Sequence, residues 1–309
     1  MIFFALLAAL LLDHFYPLAP TRLNILIPPL RYLAHQLNAG KHQHGVATWC
    51  IAMIPLLILS SLIYFALSTI SLWLAWLWNI AVLYMSIQFK TSTLAAEQIN
   101  QSLLHDDLPL AQRLFTQWRG TDVQLTNADD LTRLNIEAVF ADTLQHLFGV
   151  IFWFVLLTPL GPIGAVLYRT THLIAEQWQT HNDGEFAHFA QQMAVLANWL
   201  PVRITALSFA IAGNFEDALY CWRSQASAWA EPNLGILLAS AAGALGVKLG
   251  MPVQPSMILR PELGLGERAD YSYLDSAISL IWRALAIWLL LLLLMALARL
   301  AGQSAGLAN

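Results

Sequence analysis

The sequence predicts an all-α, polytopic integral membrane helical bundle with amphipathic helices at the interface. Of its 309 residues, 58% are hydrophobic and only 11% are charged, where an average soluble domain carries roughly 25% charged residues. Long stretches without any ionisable side chain reach bilayer-spanning length. No polar–apolar alternation is long enough to build a sheet, and no internal repeat is visible. With 15 Lys+Arg against 19 Asp+Glu, the chain lacks the basic surface of a nucleic-acid binder, and no nucleic-acid partner is expected. Membrane lipids are the expected surroundings. Two cysteines, Cys50 and Cys221, are too few for a disulfide framework and are expected as buried free thiols.

The chain reads as a single membrane domain over residues 1–309. Met1 to Leu12 is apolar but too short to span alone. No basic residue precedes it and no small-x-small cleavage site follows, so it reads as a retained membrane helix over about 2–18. The segment from Asp13 to Gly45 carries Arg22, Arg31 and Lys41 against one acid, which the positive-inside rule places in the cytoplasm. Within it, His42 and His44 lack a carboxylate or cysteine at ligand spacing and read as a juxtamembrane flank, not a metal site.

Val46 to Phe89 runs for 44 residues without Asp, Glu, Lys, Arg or His. That is two spans, about 46–67 and 71–89, with a break near Ser68 to Ser71. Lys90 to His146 reads as helices at the membrane surface. Asp106-Asp107-Leu108-Pro109 starts one and Gly120 stops it, while Thr126 with Asp129 resembles a capping box for the next. Leu147 to Tyr168 is a third span, expected to be kinked or broken at Pro159, Gly161 and Pro162. Residues 204–213 and 234–247 are short apolar helices, either packed inside the membrane or forming the floor of an interfacial domain; the second is rich in small residues. Pro252 to Asp270, with its prolines and glycines, reads as a loop or hinge. Ser276 to Ala298 is the last span, with its single charge, Arg283, placed to snorkel toward the headgroups.

Chemistry must come from the charged minority. No phosphate-binding loop, dinucleotide fingerprint, zinc-protease helix or nucleophile elbow occurs. Asp142 and His146, one helical turn apart, fit either a carboxylate-oriented imidazole for proton transfer or a helix-stabilising pair. Arg203, at the mouth of an apolar run, needs an anionic partner. That partner is either a ligand or headgroup anion, or a carboxylate such as Glu216 or Asp217.

Several segments together resemble one family. Asn198-Trp-Leu-Pro-Val-Arg-Ile-Thr-Ala-Leu207 is similar to the "IPARLTAL" signature of the CobD/CbiB family of cobalamin-biosynthesis membrane proteins. Pro232-Asn233 followed by Ala241 to Pro252 resembles its "SPN…AGALGxxLGGP", and Gly264 to Trp282 its closing "GD…DI…LMW". Ile136 to Asp142 falls where that family has "VETVAEN". The resemblance implies a bacterial inner-membrane protein that joins an aminopropanol, or its phosphate, to adenosylcobyric acid through an amide bond. A corrinoid ligand comes with that activity, as do Mg and ATP. It implies Glu137 and Asp142 as catalytic carboxylates, with Arg203 and Asn233 as ligand- or phosphate-binding groups. Some family polar positions differ here: Ala141 and Asp142 replace a glutamate and an asparagine, Gln145 an aspartate, Thr171 to Ile174 the "NTLD" box, and Leu238 a glutamate. Trp199 to Arg203, Phe209 to Phe215 and Trp222 also resemble the AmpE proteins, which implies the alternative of a non-catalytic membrane sensor.

Overall fold

A computed structural model describes residues 2–18, 26–38, 41–121, 125, 127–181, 184–252 and 260–306. In chain order the helices are α1 (Ile2–Phe15), α2 (Ile27–Leu37), α3 (His42–Ile70), α4 (Leu72–Ser86), α5 (Phe89–Leu104), α6 (Leu108–Arg119), α7 (Ala128–Thr143), α8 (Gly149–Leu156), α9 (Ile163–His181), α10 (Glu185–Ala212), α11 (Phe215–Gln225), α12 (Pro232–Leu245) and α13 (Tyr273–Gly306). Three short strands, β1 (Val247–Gly250), β2 (Glu262–Leu263) and β3 (Glu267–Arg268), lie between α12 and α13. Five helical runs among the described residues are long and apolar enough to cross a membrane: His42–Ile70, Leu72–Leu104, Ala128–Leu156, Glu185–Ala212 and Tyr273–Arg299. The protein is an all-α, polytopic membrane bundle.

Two of these runs do not coincide with the charge-free stretches of the sequence. The expected helix over 147–168 is interrupted by a 3-10 turn at Thr158–Leu160, after which Gly161, at φ 80°, lets the chain turn into α9. Upstream, α7 continues through a five-residue π-helical segment, Leu144–Phe148, into α8. The stretch 204–213 is the last third of α10, a single helix that passes through Pro201. Both long runs carry ionisable residues, such as Glu137 and Arg203, which conceal them from a search for uncharged segments.

Contacts group the chain into two compact units, residues 1–89 with 145–201 and residues 90–144 with 202–309. In the first, α3 and α4 form a hairpin whose turn is the single extended residue Ser71. The Ser71 side chain accepts from Trp73 N and caps α4. Helix α1 packs on α4 through fully buried Ala5 and Ala9, small enough for a close approach. Helix α9 lies along α3, burying Met53, Ile174, Trp178 and Phe186 in one cluster. Helices α8 and α9 meet at contact distance because Gly164 presents no side chain to Trp153: a Cβ there would stand 1.9 Å from the Trp153 carbonyl oxygen.

The second unit is built around α12. Nearly every residue from Asn233 to Ala244 is buried, and its small residues press against α11, where Gly243 meets the Asp217 backbone. The helix expected over 234–247 ends at Leu245, with Gly246 as its left-handed C-cap and Val247 opening β1. Cys221 of α11 is a buried free thiol, and burial, with the Asp217 carboxylate nearby, pushes its pKa up. Ser240 Oγ donates to Ala206 O, Trp288 Nε1 donates to Ser208 Oγ, and the Phe140 and Phe209 rings meet edge-on at 5.3 Å. Helix α6 starts at Asp107, whose carboxylate accepts from Leu110 N, and ends at Gly120 with φ 70°.

Three sequence expectations change in this unit. The N-cap of α7 is Asn127, whose side chain accepts from Asp129 N, and Thr126 lies outside the described residues, as does Arg22 of the basic N-terminal segment. Of the segment 252–270, residues 253–259 lie outside the described residues, and the rest is more than a loop: β1 pairs antiparallel with β2 and parallel with β3. That pairing requires glycine at 264, where φ is 92° and a Cβ would stand 2.1 Å from Val247 O. Finally, Arg283 donates to Ala212 O at 2.8 Å and so caps the end of α10.

The α8–α9 contact gives a direct test. Gly164→Val should cost about 1–3 kcal/mol of overpacking, read as a lower melting temperature in detergent, whereas Gln43→Ala, at an exposed position of α3, should change it far less.

Candidate functional site

The site is set by α7, which is buried on nearly all sides from Leu131 to Thr143. Arg133, Asn135, Glu137 and Asp142 are all buried, although the helix belongs to a membrane-spanning run. Ionisable groups inside a bilayer persist only when turned inward and paired. Asn127 caps the helix, and Asp129 and Asp130 in its first turn complement the helix dipole.

Glu137 is the centre of a connected polar chain. Its Oε1 accepts from Gly250 N at 2.8 Å and its Oε2 is paired with Arg260 Nη2. Arg133, one turn earlier on α7, donates from Nη1 to Gly250 O at 3.1 Å, and its Nη2 is paired with Asp130. The Arg260 guanidinium sits 5.0 Å from the centre of the Trp229 ring, a cation–π arrangement. Both backbone polar groups of Gly250, in the two peptide units that flank its Cα, are thus held by α7. Gly250 itself has φ 75°, and a Cβ there would stand 2.1 Å from Pro261 O, so no other residue fits.

Beside this chain opens a polar cavity of about 330 Å³, lined by Asn127, Asp129, Asp130, Arg133, Met251, Pro252, Arg268 and Ala269. Two guanidinium groups and two carboxylates around one space suit a ligand that carries both phosphate and cation. Arg260 Nη1 has no hydrogen-bond partner among the described residues, which leaves a further donor close by.

The four residues singled out from the sequence divide. Glu137 belongs to the polar chain just described. Asn233 is buried in the first turn of α12, four residues after Trp229, and so lies at the same end of the unit. Asp142 is five positions along α7 from Glu137, on a different face. It accepts from Ser92 Oγ at 2.9 Å and is paired with Arg119 at the end of α6, so it joins α5, α6 and α7. The two carboxylates have separate partners and do not share a hydrogen bond among the described residues.

Arg203 is half-buried on α10. Contacts at Ala206–Ser240 and Asn214–Ala244 show α10 and α12 running in the same direction. Asn233, two turns before Ser240 on the same face, therefore lies toward the Arg203 end of α10. Sequence reasoning missed Arg133, Arg260, Gly250 and Trp229. Of these only Arg133 carried a local signal, its spacing of four from Glu137.

Removing one member of a buried ion pair strands the other, at a cost of roughly 3–5 kcal/mol. Glu137→Met and Arg260→Met should each destabilise strongly, and the double variant should recover part of the loss. A double-mutant cycle by chemical denaturation in detergent reads this coupling directly.

Comparison with known proteins places these features in a lineage. The family described as CobD/Cbib protein matches residues 6–281. A relative named cobalamin biosynthesis protein CobD, from Stutzerimonas stutzeri, is 32% identical over 305 residues, 94% of this chain and 97% of the relative. One of the same name from Chromobacterium violaceum is 30% identical over 248 residues, 79% of this chain and 73% of the relative. Another, from Leptospira interrogans, is 25% identical over 179 residues, 56% of each chain. No solved structure matches significantly. These matches favour the CobD/CbiB resemblance over the AmpE alternative. The chain belongs to the CobD/CbiB protein family.

Proposed function

We propose that the protein works in cobalamin biosynthesis, in the bacterial inner membrane, joining an aminopropanol or its phosphate to adenosylcobyric acid through an amide bond. The observation that carries this reading is the polar cavity between the start of α7 and the 250–269 segment, where Arg133 and Arg268 converge. Condensing a carboxylate with an amine needs an energy source, and ATP supplies it with magnesium on its phosphates. The residues present fit such a group. Arg133 and Arg268 would hold phosphate oxygens. Asp129 and Asp130 would hold magnesium, an ion that typically takes one or two protein carboxylates and completes its shell with water and phosphate.

Within this proposal Glu137 acts as a positioning residue. Its two oxygens fix Gly250 and Arg260, which set the cavity wall at Met251 and Pro252. Asn233 is the polar contact available at the start of α12, and Arg203 an anion clamp on α10. Asp142, bound to Arg119 and Ser92, is assigned the structural task of holding three helices together.

The test is amide formation by purified full-length protein supplied with adenosylcobyric acid, ATP, magnesium and an aminopropanol or its phosphate. Arg268 is exposed, so its removal should leave folding intact. A charge-assisted hydrogen bond is worth about 1.5–3 kcal/mol, so Arg268→Met should slow product formation by about tenfold or more. Wild-type protein that makes no product, and cannot restore cobalamin synthesis to a strain lacking the enzyme, would return the AmpE-like sensor reading to first place.

A further inference from the structure

The polar cavity beside α7 has two chemically different walls. Asn127, Asp129, Asp130 and Arg133, from the start of α7, are all polar or charged. The small sheet contributes the other wall. Because β1 and β3 run parallel, with Lys248 beside Arg268, the residues that follow the two strands reach the cavity at the same end of the sheet. They bring Met251, Pro252 and Ala269, so this wall is apolar apart from Arg268. Charged groups beside an apolar lining suit a ligand that is anionic at one end and apolar at the other.

Met251 differs from its neighbours on that wall in its backbone. Its φ is 69°, in the left-handed region that long side chains rarely adopt. Pro252 adds to the cost, since a residue before proline is driven toward extended backbone. The surroundings impose the turn: the Gly250 N–H and carbonyl are held by α7, and Met251 N donates to Pro261 O at 3.3 Å. Glycine would meet these constraints without strain. The methionine is only half-buried, so packing alone does not call for it. Backbone strain of this kind clusters where a side chain meets a ligand.

We propose that Met251 is the nucleobase contact of this cavity: its thioether side chain, with Pro252 beside it, packs against the face of the adenine ring while Arg133 and Arg268 hold the phosphates. The inference rests on the reading that the cavity takes ATP with magnesium. Methionine suits the task because it is unbranched and polarisable, and its sulfur gains from contact with an aromatic ring.

The experiment is calorimetric titration of the full-length protein in detergent with magnesium ATP and, separately, with magnesium tripolyphosphate, which carries three phosphates and no base. Wild type should bind ATP about tenfold more tightly than tripolyphosphate, the upper range of a sulfur–aromatic contact. Met251→Gly removes the side chain and fits the left-handed backbone. It should melt close to wild type and lose the preference for ATP, with its tripolyphosphate affinity unchanged. Met251→Leu, which keeps an apolar surface, should retain most of the preference. Equal ATP affinity in wild type and the glycine variant overturns the proposal. So does a parallel loss of ATP and tripolyphosphate, which would make Met251 a support of the cavity wall. ATP binding that depends on Met251, with no amide formed from adenosylcobyric acid, would uphold this contact and overturn the amide-forming reading. Amide formation by both proteins at equal ATP affinity would do the reverse.

Discussion

A carboxylate placed inside a membrane-crossing helix must be neutralised or paired, because the bilayer offers it no water. Glu137 meets that requirement with Arg260 and with the amide of Gly250. Much of the second unit follows from this one solution. The Gly250 N–H donates to Glu137 and its carbonyl accepts from Arg133, which fixes the end of β1. The same strand aligns β2 and β3, and the polar cavity forms where that small sheet meets the first turn of α7. Arg260, in turn, covers Trp229 at the entrance to α12. A buried pair of this kind adds little net stability compared with an apolar substitute, but it ties a specific loop to a specific helix.

The lipid-facing spans were legible in the sequence because nothing on them needs to be polar. Helices α3, α4 and the apolar part of α13 expose residues such as Ile58, Leu62, Leu74 and Leu291, and their uncharged runs reach bilayer length. The runs through α7 and α10 are not legible as spans, because they carry ionisable residues such as Glu137 and Arg203. On α7 these charges are buried and paired inside the protein, and in the sequence they have the look of a helix at the membrane surface. The Pro252–Asp270 segment was read as a loop since its strands are two residues long and depend on pairing with Val247–Gly250. Such pairing is non-local and leaves no alternation to find. Of the site, Glu137 and Asn233 were visible through the family pattern, whereas Arg260 and Trp229 became neighbours only through folding.

Positions where the chain departs from the family pattern have been absorbed into ordinary packing. Leu238 is buried in α12. Gln145 donates to Glu176, and His172 shares Asn198 with Tyr168. The polar groups around α7 remain charged and connected. A connected polar cluster therefore lies between the start of α7 and the small sheet, where the proposed site sits, and the substituted positions have become part of the helical packing.

The central claim is that Glu137 holds the 247–250 strand and its cavity in place. Hydrogen exchange of the backbone amides, compared between wild type and Glu137→Gln in detergent, tests it most directly. Exchange at Gly250 and through β1 should accelerate in the variant while the amides of α11 and α12 keep their protection. Unchanged protection of β1, or a loss spread evenly over the whole unit, would contradict it.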